Sequence, residues 1–329
     1  MDNEYSRSEK AGHTVKKKKL RKRALIPLVI LLLLIGSVLY IYFSYQSGLN
    51  IAKENGVEQE AYEFNGVDNN NGKKNILLLG ADREVDGQQR TDVIMIAQYD
   101  YMQKDLKLVS LMRDIYVDIP GYQSYKINSV YSLGGVELLR QTIKQNFGID
   151  VEEYAVVDYE AFESVINVVN QDGIPINVEK DMSEKIDTKI EKGEQRLGGE
   201  DLLAYARFRH DAEGDFGRVR RQQQVISAVK DEALSAGNIM KMPKIAGTAM
   251  GHVNTSMSDG EMYRMMASFL IRGDKDIESL TLPVENTYQF MDTPHAGNVI
   301  DLDFETNNQY LHDFLEGDQK DTDEADSVE

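Results

Sequence analysis

Residues 76–80 read ILLLG, a run without a polar side chain that ends on glycine. So short an apolar run suits a strand buried on both faces, because an apolar helix of this kind needs ten or more residues. Working outward, residues 91–99 (TDVIMIAQY) and 106–119 (LKLVSLMRDIYVDI) read as further strands, the second alternating in its latter half. Residues 134–148 place Leu138, Leu139, Ile143 and Phe147 on one helical face. YAVVD at 154–158 is another buried strand, 159–169 an amphipathic helix and 173–178 a short strand. Helices are expected at 201–209, 218–234, 239–250, 260–271 and 308–315, with a late strand at 277–282. Strands that alternate with helices predict a layered α/β domain.

Before this domain lies ALIPLVILLLLIGSVLYIYF at residues 24–43, uncharged and long enough to cross a bilayer as a helix, which takes ~20 residues. Pro27 falls in the first turn, where a missing N–H costs little, and Tyr40 and Tyr42 stand at the far end. Lys16, Lys17, Lys18, Lys19, Arg21, Lys22 and Arg23 precede it and assign that end to the cytoplasm. No small-x-small site follows the run, which argues against a cleaved signal peptide. The expected organisation is a basic cytoplasmic tail at 1–23, a transmembrane helix at 24–43, a polar stalk at 44–74, an extracellular domain at 75–315 and an acidic, disordered tail at 316–329.

The chain has 329 residues and no cysteine, which excludes disulfides, thiolate metal sites and a cysteine nucleophile. Residues 1–43 carry a net +6, so the chain's −18 leaves −24 on residues 44–329. A domain this acidic excludes nucleic acid as a partner, and it can bind a polyanion only through a local cationic cluster or a metal.

Four clusters could carry chemistry. Asp82 and Asp92 flank the loop after the first strand, where ligands of α/β sheets gather. They offer hard oxygen ligands for Mg2+ or Mn2+, or they cap turns. Arg113-Asp114 interrupts an apolar strand, either as a buried ion pair or with Arg113 reaching a ligand. Lys126-Ile127-Asn128 lies in a loop. The densest signal is RFRH at 207–210 with DFGRVRRQQQ at 215–224, five arginines within fifteen residues of an acidic domain. Arg218 and Gln222 share a helical face, and a strand-like link would present Arg207 and Arg209 together. Arginine's planar fork suits phosphate oxygens, and a helix opening at about Arg218 would aim free N–H groups at an anion. No phosphate-binding GxxxxGK[ST] loop, no GxSxG and no zinc-type histidine spacing occurs.

LLLGAD…RTD, MRDIYVDIPG, KINSVYSLGG, YAVVDYEAF and YARFRHDAEGDFGRVRRQQQ, in this order, resemble the LytR-CpsA-Psr family of envelope proteins over residues 75–234. The resemblance implies an α-β-α sandwich around a central mixed β-sheet, enclosing an apolar tunnel that residues around Val165, Leu203 and Val225 would line. It implies a phosphotransferase in the membrane of a Gram-positive type of cell. Such an enzyme moves an anionic glycopolymer, of the wall teichoic acid or capsule type, from undecaprenyl pyrophosphate to the muramic acid 6-hydroxyl of peptidoglycan. Its metal positions match Asp82 and Asp92. Its pyrophosphate-binding positions match Arg90, Arg113, Lys126, Arg207, Arg209, Arg218 and Gln222, with Arg113 also catalytic. A pyrophosphatase acting on the same lipid, or a membrane-bound regulator that binds it without turnover, remain alternatives. Nothing is carried over beyond residue 234.

Overall fold

The computed structural model describes residues 22–54, 62–68, 72–81, 91–183, 188–271 and 277–317. The basic tail up to residue 21, Asp82, Arg90 and the tail from 318 onward lie outside the described residues. The elements in chain order are α1 (Lys22–Glu54), β1 (Lys73–Ala81), β2 (Thr91–Asp100), β3 (Asp105–Leu111), β4 (Tyr116–Val117), β5 (Tyr125–Lys126), α2 (Val130–Phe147) and β6 (Glu153–Asp158). They continue with α3 (Tyr159–Val169), β7 (Ile174–Val178), β8 (Gly193–Leu197), α4 (Gly199–Arg207), α5 (Gly214–Leu234), α6 (Met242–His252) and β9 (Asn254–Thr255). The last are α7 (Asp259–Ile271), β10 (Glu278–Leu282), β11 (Tyr288–Thr293), β12 (Gly297–Leu302) and α8 (Phe304–Glu316).

The chain divides into two compact units after Phe43. In the first, the stretch from Ile26 to Phe43 turns its apolar side chains outward, and α1 contains a span long and apolar enough to cross a membrane. The second unit, from Ser44, holds a six-stranded mixed sheet in the order β10-β3-β2-β1-β6-β9. The pair β1/β6 and the pair β10/β3 are parallel; β1/β2, β2/β3 and β6/β9 are antiparallel. Residues alternate across each strand. Leu77, Leu79, Ile94, Ile96 and Val109 pack on one face against α2 and α8, through Leu139, Ile143, Phe147 and Leu311. Ile76, Ala97, Leu108 and Ala155 pack on the other with Val253, Met257 and Ala249. A further core joins α3, β7, β8, α4, α5 and α6 around Ile166, Val178, Leu202, Tyr205 and Val225. This is an α-β-α sandwich.

Several boundaries depart from the sequence reading. Residues 106–119 are not one strand: β3 stops at Leu111, a turn carries Arg113-Asp114, and β4 resumes at Tyr116. The charged pair is therefore at a strand end. Helix α5 opens at Gly214 rather than Arg218, so its first-turn N–H groups belong to residues before the arginine. The strand expected at 173–178 is β7, but its hairpin partner β8 and the β11–β12 hairpin escaped prediction. The described parts of the expected stalk belong to the domain. Tyr45 and Ala52 are buried, Val67 N donates to Val151 O at 3.0 Å, and Phe64 meets the Tyr154 ring at 5.0 Å.

Candidate active site at the carboxyl edge of the sheet

Strand directions bring the site together. β1 and β6 are parallel, and β3 runs with them because both are antiparallel to β2. The C-terminal ends of β1, β6 and β3 and the N-terminal end of β2 therefore share one edge, the edge at which α/β sheets bind ligands. Asp158, Arg113 and Asp92 stand on that edge.

A cavity of about 710 Å³ opens there, within the range of small-molecule sites. Its floor is the sheet face bearing Leu78, Val93, Met95 and Val157, which the register places side by side. Gly80 also lines it; a Cβ there would come within 2.9 Å of the Val93 side chain, so the floor is flat only with glycine. The walls are helical stripes. They are Tyr159, Phe162 and Glu163 from α3, Glu200, Leu203, Ala204 and Arg207 from α4, and Arg218, Gln222, Val225 and Ile226 from α5. Spacings of three and four place each set on one face. Arg209 and His210 complete the lining from the loop between α4 and α5. Of the apolar residues expected to form a tunnel, Leu203 and Val225 line this cavity; Val165 points into the neighbouring core instead.

Ion pairs cross the polar end. Arg113 Nη1 donates to Asp92 Oδ1 at 2.7 Å, and its Nε lies 3.6 Å from both Asp114 Oδ2 and Asp215 Oδ1. Arg218 Nη2 reaches Asp215 Oδ1 at 2.6 Å and its Nη1 lies 3.9 Å from Asp92 Oδ1. The Arg218 side chain is only 4% exposed. Arg113 is ion-paired, as one of its two expected roles requires, and it also lines the cavity. Burial pushes the Asp215 carboxyl up despite Arg218 and Arg113 beside it, and the same burial pushes Arg218 down. Burial also opposes the Arg113 charge, but the Asp92 hydrogen bond and the surrounding carboxylates outweigh it and hold its pKa up. Charges buried at a net cost are a mark of functional sites rather than of stability. Arg113 Nε, Arg218 Nε and Asp215 Oδ2 are buried there without a hydrogen-bond partner.

Asp92, Arg113, Arg207, Arg209, Arg218 and Gln222 thus meet at one cavity. Gln222 is buried, and its Nε2 donates to Ala206 O at 3.5 Å. Arg207 ends α4 with its guanidinium carbon 4.3 Å from the centre of the Tyr159 ring. Phe208 is extended and buried between Arg207 and Arg209, which is the strand-like link that presents both. Lys126 does not line the cavity: its Nζ donates to Asp114 Oδ1 at 2.7 Å, one residue behind Arg113. Its neighbours fix the same turn, with Asn128 N donating to Arg113 O at 3.2 Å and Ile127 N to Ile115 O at 2.9 Å. Asp215 was not singled out from sequence, although it lies three residues before Arg218 on the same helix, a readable spacing. Asp158, Tyr159 and Phe162 were also missed as lining residues.

The LytR_cpsA_psr family model matches residues 38–304. The chain belongs to this family. It is 50% identical over 281 residues to the regulatory protein MsrR of Staphylococcus aureus (strain COL), covering 85% of this chain and 86% of that one. It is 35% identical over 243 residues to the polyisoprenyl-teichoic acid–peptidoglycan teichoic acid transferase TagV of Bacillus subtilis (strain 168), covering 68% of this chain and 61% of TagV. The crystal structure of B. subtilis TagV superposes with a TM-score of 0.63 at 31% identity, over 74% of this chain and 97% of that one. TagT bound to LIIa-WTA superposes with a TM-score of 0.60 at 25% identity, over 79% and 97%.

Proposed function

We propose that this LytR_cpsA_psr protein is a membrane-anchored phosphotransferase. It moves an anionic glycopolymer from an undecaprenyl-pyrophosphate carrier to the muramic acid 6-hydroxyl of peptidoglycan. The observation that carries the reading is a single cavity with two chemistries. Leu78, Met95, Phe162, Leu203 and Val225 offer an apolar wall for a prenyl chain, and Arg113, Arg207, Arg209 and Arg218 offer cations for its pyrophosphate. Relatives named as teichoic acid transferases, and TagT bound to LIIa-WTA, support the same substrate class. The seven cations before the apolar span support a cytoplasmic N-terminus and a domain outside the membrane.

In this reading the muramic hydroxyl attacks the phosphorus that bears the polymer, an O–P bond forms, the bridging P–O bond breaks and prenyl phosphate leaves. A carboxylate oxygen of the Asp82/Asp92 pair takes the hydroxyl proton. Arg113 and Arg218 hold the pyrophosphate oxygens, and Arg207 and Arg209 meet the charge that grows on the leaving phosphate. Such catalysis is positioning and charge neutralisation rather than covalent chemistry. Magnesium takes one or two carboxylates together with substrate phosphates. Asp92 lies at the cavity's polar end, its Oδ1 already held by Arg113; together with Asp82, which lies outside the described residues, it is the carboxylate that would hold the ion in this reading. When bound there, magnesium would neutralise phosphate charge.

The test is to incubate the full-length protein in detergent with a synthetic lipid-pyrophosphate disaccharide, peptidoglycan oligomers and magnesium, and to search for the phosphodiester-linked product by mass spectrometry. Wild type should form it. Asp92→Ala and Arg113→Ala should each lose about 10²-fold or more, the scale of a lost oxyanion donor. Free sugar phosphate without linkage would instead establish a pyrophosphatase. Lipid binding with no turnover would favour a regulator, the role named for the relative that is 50% identical.

A further inference from the structure

Arg221 belongs to the arginine-rich stretch but does not line the cavity. Its side chain is fully buried; the two terminal nitrogens share three acceptors, while Nε is buried without a hydrogen-bond partner. Nη1 donates to Glu179 Oε1 at 2.7 Å and to Asp211 Oδ2 at 3.0 Å, and Nη2 donates to Phe208 O at 2.6 Å. The guanidinium carbon also lies 5.3 Å from the centre of the Phe208 ring. One side chain therefore grips both the carbonyl and the ring of the residue that separates Arg207 from Arg209. Asp211 extends the grip, since its Oδ1 accepts from the backbone N–H groups of Glu213 at 3.1 Å and Gly214 at 3.0 Å, where α5 begins. Gly217, one turn before Arg221, makes the room: a Cβ there would stand 3.1 Å from both terminal nitrogens of Arg221.

We propose that Arg221 is a positioning residue that locks the backbone at Phe208, so that Arg207 and Arg209 face an anionic ligand together. The proposal rests on reading the cavity as a pyrophosphate site. Buried arginine is costly unless its donors are satisfied; here the two terminal nitrogens are satisfied, and two of their three acceptors, Phe208 O and Asp211 Oδ2, belong to the loop that follows Arg207 and carries Arg209. A lysine keeps the charge but lacks the planar fork that serves separate acceptors, so the role is specific to arginine.

Geranyl pyrophosphate, titrated calorimetrically into the full-length protein in detergent, tests this. Arg207→Ala and Arg209→Ala should each weaken binding. Arg221→Lys should weaken it roughly tenfold, the lower end of the effect of removing an orienting outer partner. In an Arg209→Ala background the same Arg221→Lys change should cost distinctly less, because part of its action runs through Arg209. Gly217→Ala keeps every charge and installs a better helix former, with its methyl 3.0 Å from Glu213 Cβ and 3.1 Å from both terminal nitrogens of Arg221, so it should weaken binding by crowding the guanidinium, and its melting temperature is measured alongside to show that it folds. This variant keeps the test decisive if Arg221→Lys fails to fold. Wild-type affinity in Arg221→Lys and Gly217→Ala, or losses at 209 and 221 that simply multiply, would overturn the positioning role. Wild-type affinity in both Arg207→Ala and Arg209→Ala would instead remove the anion site itself, and the proposed function with it.

Discussion

Helical phase separates the arginines between 207 and 221 more sharply than their composition does. Arg218 shares its face with Gln222 and meets the cavity; Arg220 points away to Glu179 and Glu213, and Arg221 is buried behind the loop. The same contrast between exposed and committed charge governs the acids. Glu137 accepts from Arg140 at 2.7 and 2.9 Å, from Gln141 at 2.9 Å and from the backbone N–H of Asn65 at 2.8 Å. Arg140 first, with these other donors, holds its pKa down to about 2 against burial. A depressed carboxylate contributes stability that is present above its unfolded pKa and is lost as pH falls through the folded one. Thermal melts should therefore show stability declining from about pH 5 towards pH 2, by at most about 3 kcal/mol from this group. Glu137→Gln should melt lower at pH 7 and follow a flatter pH curve over that window. An unchanged curve would mean that other carboxylates drive the acid transition.

At the scale of elements, the approach of α1 to α6 depends on absent side chains. A Cβ at Gly48 would stand 2.2 Å from Lys244 O, and one at Gly247 would stand 2.1 Å from Tyr45 O, closer than any side chain can sit. Gly48→Ala must push the helices apart, and overpacking of this kind costs about 1–3 kcal/mol. It should lower the melting temperature of the full-length protein, while Gly36→Ala, where nothing lies within 4 Å, should not. Neither glycine announced itself in the sequence, because a close approach is a relation between segments about two hundred residues apart. The central strands and the helices α3 to α7 were legible for the opposite reason: their periodicity is local. Asp92, Arg113 and the arginines of 207–218 were legible as unusual charge in apolar or acidic surroundings. Asp215 and Tyr159 were not, since their place depends on which helix faces which strand end. The β11–β12 hairpin hid because only Val299, Ile300 and Leu302 of β12 are buried, too short a pattern to separate from a loop.

For the whole molecule, the net charge of the domain and the arginines of its cavity act on an anion in opposite directions. Residues 44–329 carry a net −24, yet the proposed ligand is an anion that must reach Arg113, Arg207, Arg209 and Arg218. Far from the surface the net charge dominates and repels; within the recess an anion meets the four arginines at short range, beside Asp92, Asp158, Glu163 and Glu200. Salt separates the two, because the screening length falls from about 30 Å at 0.01 M to about 10 Å at 0.1 M. Adding salt removes the long-range repulsion first and leaves the sheltered, short-range attraction largely in place. The association rate of inorganic pyrophosphate, measured by stopped flow, should therefore rise as ionic strength goes from about 10 to 150 mM, contrary to the usual behaviour of an electrostatically steered ligand. The dissociation rate should change less. A falling association rate would show that the arginine recess, not the acidic surface, governs the approach, and that the negative charge is placed where an incoming anion does not meet it.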